Sequence, residues 1–252
     1  MDSKKTIKLY KNSGETPLER LNRFREENPE YGETKLSYAG RLDPMAEGVI
    51  LVLVGDENKE REKHLKYSKE YTFEILFGFK TDTYDLLGLL QDKFHKVEIN
   101  EENLKNVLNK FKGDIMQEYP PYSSKTVKGK PLFEWARQNK LNQIKIPSHE
   151  VTIFDINFRE LSTITKPDLR KSLISRILKV KGDFRQKRIL DEWGIELDRI
   201  RTDEFYLAKV NIFCSSGTYV RALCNDVGQE LGCGALAFSI KREDILDDLK
   251  QY

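Results

Sequence analysis

Cysteine, histidine and tryptophan are scarce in this chain: three, three and two among 252 residues. Cys214, Cys224 and Cys233 contain no Cys-x-x-Cys pair. An odd count without a framework argues against a disulfide scaffold and for free thiols in a reducing compartment. All three read as small buried hydrophobes. His64, His95 and His149 are too far apart for a zinc site of ordinary ligand spacing, and no metal is expected. A dominant charge sign is also missing. The chain has 43 basic and 41 acidic residues, a net +2. That balance does not announce nucleic acid, so any RNA-binding surface must concentrate its positive charge locally. No apolar run reaches the roughly 20 residues of a membrane helix. Met1-Asp2-Ser3-Lys4-Lys5 is followed by no apolar segment of the signal-peptide kind. A soluble, cytoplasmic protein without a membrane partner is expected. Neither a phosphate-binding loop nor a dinucleotide fingerprint is present.

What is present centres on Tyr38-Ala39-Gly40-Arg41-Leu42-Asp43-Pro44 and the apolar run Val49 to Val54. Gly40 permits backbone angles that other residues resist, and Pro44 fixes the exit angle. The run is rich in β-branched residues and too short to span a membrane, so it reads as a buried strand. Asp43 is thereby held on a loop beside the core, where catalytic residues often sit. An isolated Asp-Pro is ordinarily a capped turn; the residues around this one point further.

Around that centre the pattern alternates between strands and helices. Thr6 to Tyr10 reads as a strand. Thr16 is a suitable N-cap, with Pro17 at the first helical position and Leu18, Leu21 and Phe24 continuing at helical spacing. Glu57 to Lys69 is charge-dense and reads as a solvated helical face. In Tyr71 to Phe77, Tyr71, Phe73, Ile75 and Phe77 share one face of a half-buried strand. A short amphipathic helix follows over Asn103 to Phe111, with Asn100 as its cap. Glu150 to Phe158 and Phe205 to Phe213 read as further strands. The stretch 166–203 is basic, with helix-like segments near Leu169 to Leu178 and Ile189 to Leu197. It reads as a surface helical hairpin inserted before the next strand, with an RNA-facing addition as the alternative, because Arg170, Lys171, Arg176, Lys179, Lys181, Arg185, Lys187 and Arg188 crowd together.

Three blocks carry a family resemblance. The first runs from Gly40-Arg41-Leu42-Asp43-Pro44 through the apolar strand to Gly55-Asp56-Glu57-Asn58-Lys59. The second is Lys69-Glu70-Tyr71 with Thr81-Asp82-Thr83-Tyr84-Asp85, and later Gly129-Lys130-Pro131-Leu132-Phe133-Glu134-Trp135-Ala136-Arg137. The third is Cys214-Ser215-Ser216-Gly217-Thr218-Tyr219-Val220-Arg221, then Asp226-Val227-Gly228 and the close Ala235 to Arg242. Together these resemble the TruB family of pseudouridine synthases over most of the chain, outside 166–203. Lys11, Gly14 and Thr16 match in part the family's N-terminal motif, which braces the catalytic loop, with Asn12 in place of Pro.

The resemblance implies an α+β pseudouridine synthase fold, a mixed and mostly antiparallel central sheet flanked by helices. It implies the isomerisation of the T-loop uridine of the TΨC sequence in tRNA, with no cofactor. It assigns Asp43 as the nucleophile, Arg221 as the partner that aims it, and Tyr71 as a base-stacking and proton-transfer residue. Ile240 would wall the pocket. Lys59, Tyr219 and Lys11 match positions at or near the RNA, and Tyr38 stands where many members have a His that supports the flipped nucleotide. Gln117 to Lys125 and the helix after it would clamp the RNA stem-loop. The chain ends ten residues after Arg242, so one catalytic domain over 1–252 without a PUA domain is expected, acting as a monomer. Two other readings are a guide-RNA-dependent synthase of the Cbf/dyskerin type, which would use a PUA domain, and a non-catalytic RNA-binding or tRNA-folding module, which would not need Asp43, Tyr71 and Arg221.

Overall fold

The computed structural model describes residues 6–247. In chain order the strands are β1 (Thr6–Lys11), β2 (Leu36–Ala39), β3 (Glu47–Val54), β4 (Ser68–Phe77), β5 (Gly113–Glu118), β6 (Thr126–Val127), β7 (Lys130–Pro131), β8 (Ser148–Thr165), β9 (Glu204–Cys214) and β10 (Ala235–Leu246). The helices are α1 (Pro17–Glu27), α2 (Arg61–Leu65), α3 (Glu101–Asn109), α4 (Leu132–Arg137), α5 (Lys166–Ile177), α6 (Gln186–Arg199) and α7 (Val220–Glu230). Eight strands form one sheet in the order β1-β3-β10-β4-β9-β8-β5, with β2 on β3, while β6 and β7 make a separate ribbon. Every pairing is antiparallel except β10 with β3. The fold is α+β, as the motifs imply.

Local chemistry starts the helices where expected. The Thr16 hydroxyl accepts the Glu19 N–H while the Glu19 carboxylate accepts the Thr16 N–H, a complete capping box ahead of Pro17. Asn100 caps α3 through the Asn103 N–H. On one face of the sheet, Leu21 and Phe24 of α1, Leu104 and Leu108 of α3 and Leu223 and Val227 of α7 pack on Ile50, Phe73, Ile75 and Val210. Each such side chain contributes about 1.5–3 kcal/mol on leaving water.

The other face corrects one expectation. The stretch 166–203 does form two helices, but it is more than a surface hairpin. Leu169, Leu173, Ile177, Ile189, Trp193 and Leu197 build a second core on Leu76, Leu207, Leu236 and Phe238. The Trp193 and Phe79 rings lie 4.8 Å apart. Leu76 alternates with Ile75 and Phe77 and so lies on the opposite face of β4, which the hairpin covers. β8 is also longer than its apolar pattern suggests. Beyond Phe158 its side chains are largely exposed, and the strand continues because Glu204 to Lys209 of β9 offers backbone partners.

The parallel β3–β10 contact places the loop between β2 and β3. Gly48 has φ +115°, and a Cβ there would lie 2.1 Å from the Arg242 carbonyl oxygen. Only glycine lets these backbones come so close.

Candidate active site

A cleft of about 690 Å³ opens where the Gly40–Ala46 loop, β4, the start of α7 and the α5–α6 turn meet. Asp43, Tyr71, Tyr219, Arg221 and Ile240 all line it. The Asp43 side chain is 42% exposed toward this space, and the Arg221 beneath it is 4% exposed.

Two buried cations hold the Asp43 loop from behind. The Lys11 ammonium donates to the carbonyls of Ala46 and Glu15, each at 2.6 Å, and to Asn12 at 3.0 Å. The side chain is fully buried. Lys11 is therefore no substrate contact; as the resemblance implies for its motif, it braces the Asp43 loop, its charge facing the protein's own carbonyls because those acceptors replace the water that burial removes. Burial lowers its pKa to about 8, with Glu15 and then Asp43 opposing. Arg242 is the second cation, donating to the Val49 carbonyl at 2.6 Å and to the Arg41 carbonyl at 3.3 Å. The Gly14 N–H adds a bond to the Pro44 carbonyl at 2.8 Å. Asp43 is thus fixed by contacts to its neighbours' backbone, leaving its carboxylate for the cleft and Arg221.

Arg221 sits in the first turn of α7 and gathers several acceptors. Its Nε donates to Asp43 Oδ2 at 2.7 Å, and its Nη1 to the Thr83 carbonyl at 2.5 Å. Asp85 Oδ2 lies 3.7 Å from the same Nε. Burial opposes the guanidinium charge, but Asp43 and Asp85 more than offset it, so the group is held above its ordinary pKa. Asp85 is buried, and its Oδ1 accepts the Thr83 hydroxyl at 2.6 Å and the Leu87 N–H at 2.9 Å. Burial pushes its carboxyl up to about 6, with Arg221 opposing. The planar guanidinium is suited to this setting, since one rigid fork serves two carboxylates and a carbonyl.

Tyr71 lies on β4 opposite Arg242 of β10 and Ile212 of β9. It is buried, and burial raises its phenol pKa, with Arg242 opposing. Ile240, two residues from Arg242, supplies an apolar wall. The other two expected substrate contacts lie outside the cleft lining. Tyr38 is on β2, with its side chain against the first core. Lys59 is exposed and pairs with Asp56 at 2.7 Å.

Over the opening, the segment after β5 is docked by side chains. Gln117 bonds both ways to the Tyr219 backbone, at 2.8 and 3.1 Å. Arg41 bonds to Ser124 across the mouth. Tyr122, Phe133 and Arg137 then line the cleft. The site also includes residues to which the sequence assigned no role. Asp85 and Arg242 stand inside quoted motifs, but only their burial beside Arg221 and the Asp43 loop reveals what they do. Arg185 carries no local signal beyond its basic surroundings.

Residues 29–172 match the family described as TruB family pseudouridylate synthase (N terminal domain). The chain belongs to the TruB family. It is 33% identical over 214 residues to tRNA pseudouridine synthase B of Caldanaerobacter subterraneus subsp. tengcongensis, covering 84% of this chain and 60% of that one. It is 31% identical over 216 residues to the protein of the same name from Endomicrobium trichonymphae, covering 84% and 73%. The chain thus spans about 60% of the length of the Caldanaerobacter relative. Among solved structures it is similar in fold to a chain of a Cbf5-Nop10-Gar1 complex, at TM-score 0.56, 17% identity and 95% of this chain against 48% of that one. The turn that connects α5 and α6 lines the same cleft as Asp43 and Arg221.

Proposed function

We propose that the protein converts a uridine of tRNA to pseudouridine, with Asp43 as the nucleophile. The observation that carries the reading is the Asp43 carboxylate, exposed to the cleft and bonded at 2.7 Å to a buried Arg221. The membership in the TruB family and the names of the relatives support the choice of reaction and of tRNA. The T-loop uridine of the TΨC sequence is the target we infer.

The isomerisation breaks the N1–C1′ bond, turns the base and forms a C5–C1′ bond. The proton on C5 leaves to solvent and N1 acquires one, so atoms balance without an external group. A carboxylate can act at a sugar carbon in such a step. Arg221 aims that carboxylate through a charge-assisted bond, and Asp85 anchors Arg221 from behind. Tyr71 has a raised phenol pKa, so it stays protonated and can stack on the base or hand on a proton. Ile240 and Leu42 exclude water beside it. Entry requires the nucleotide to be flipped out of its stack, which costs a few kcal/mol and least in a loop.

The test is tritium release from a tRNA transcript labelled at C5 of uridine. Wild type should release tritium, and Asp43→Asn should abolish release while RNA affinity stays within about tenfold, because only a charge at the reaction centre changes. Turnover retained by Asp43→Asn, or no release by a wild type that binds tRNA, would overturn the proposal.

A further inference from the structure

We propose that the α5–α6 hairpin is an RNA-gripping wall of the cleft, on which Lys179, Lys181 and Lys187 take phosphate groups flanking the nucleotide that enters it. The proposal rests on the RNA substrate argued above.

The hairpin's turn is positioned at the site. Asp183, Phe184 and Arg185 line the same cleft as Asp43. Arg185 makes two bonds to the Asp82 carboxylate, at 2.6 and 3.2 Å, and lies 4.6 Å over the Tyr122 ring. Its φ of +65° is a conformation that a non-glycine residue keeps only when surrounding contacts hold it. From the other side, a Cβ on Gly14 would meet the Lys179 backbone oxygen at 2.8 Å, so the two chains touch there. Gly14 is bonded to Pro44, the residue after Asp43. The turn is therefore clasped between the Asp82 loop and the Asp43 brace.

The basic side chains of the hairpin are of two kinds, paired and unpaired. Lys166 and Arg170, near its base, pair with Asp203 and Asp198, and Arg188 pairs with Glu192. Lys179, Lys181 and Lys187 are exposed and have no ion-pair partner within 4.0 Å among the described residues. Three exposed ammonium groups thus flank, in sequence, the turn whose Asp183, Phe184 and Arg185 line the cleft, with Glu19 of α1 in electrostatic reach of Lys181. Flexible ammonium groups suit phosphodiesters of variable placement, whereas the rigid Arg185 is committed to holding the turn. The second core beneath, with Trp193 buried, gives the wall a fixed base.

The test uses the full chain carrying Lys179→Ala, Lys181→Ala and Lys187→Ala together, and a fluorescein-labelled T-arm stem-loop RNA followed by anisotropy across a KCl series. These side chains are exposed, and alanine keeps the Lys179 Cβ that packs on Gly14, so unfolding by urea should match wild type. The expected result is a loss of affinity of about tenfold or more at low salt, with the slope of log K against log salt less steep by about 2. Lys171→Ala, a single exposed charge on α5 outside the turn, should change affinity less than about twofold. An unchanged affinity and slope in the triple variant, with wild type bound and releasing tritium, overturns the hairpin proposal alone. A wild type that binds no RNA overturns this proposal and the function above together.

Discussion

Replacing Arg221 by lysine keeps the charge and removes the fork. In the structure the guanidinium serves Asp43 at 2.7 Å and the Thr83 carbonyl at 2.5 Å at once, with Asp85 at 3.7 Å. A lysine ammonium is a single point on a flexible stem and cannot occupy these positions together. With the group 4% exposed, water cannot fill in for the missing donor. The variant therefore loses at least one hydrogen bond made by a charged donor, worth about 1.5–3 kcal/mol. If the lost bond is the one that aims Asp43, that energy appears in the barrier and slows the chemical step by roughly ten- to a hundredfold. The assay is single-turnover tritium release at saturating enzyme, which isolates chemistry from tRNA binding, with urea unfolding alongside. A rate within twofold of wild type, in a variant that folds normally, would refute the idea that the forked pair orients Asp43 for the proposed reaction.

The remaining predictions concern the supports of the site. Asp85 has its carboxyl raised to about 6 by burial. Between about pH 4 and 6 the unfolded chain has released this proton and the folded chain keeps it, so the stability contribution falls as pH rises through that window and levels off above it, by roughly 3 kcal/mol at most. The difference between wild type and Asp85→Asn in urea unfolding at several pH values should show that slope; a difference that is flat or rises with pH counts against it. Lys11→Met should cost about 2–4 kcal/mol, since it leaves the Ala46 and Glu15 carbonyls buried without donors. It should also slow turnover by loosening the Asp43 loop, and a variant with unchanged stability would contradict the brace.

Much of the local structure was legible because its causes are local. Thr16, Pro17 and Glu19 contain the whole capping box, and the alternation from Tyr71 to Phe77 sorts its residues onto the two faces seen in the cores. The motif blocks pointed to Asp43, Tyr71, Arg221, Tyr219 and Ile240, and all five line one cleft. Other features had no local cause. The outer half of β8 lacks an apolar pattern and exists through backbone pairing with β9.

The sequence by itself determined which residues can cap, turn, alternate and carry the family's chemistry, because neighbours along the chain settle those properties. Only the tertiary structure decided what each charge faces. Asp43 and Arg221 are 178 positions apart, and they meet because the parallel β3–β10 contact and the packing of α7 bring their elements together. The same packing turned Lys11 inward toward carbonyls, buried Asp85 beside Arg221, and clasped the 166–203 hairpin onto the rim of the cleft. Burial and long-range contact set the direction and the energy of a charged side chain, and neither is written in its immediate neighbours.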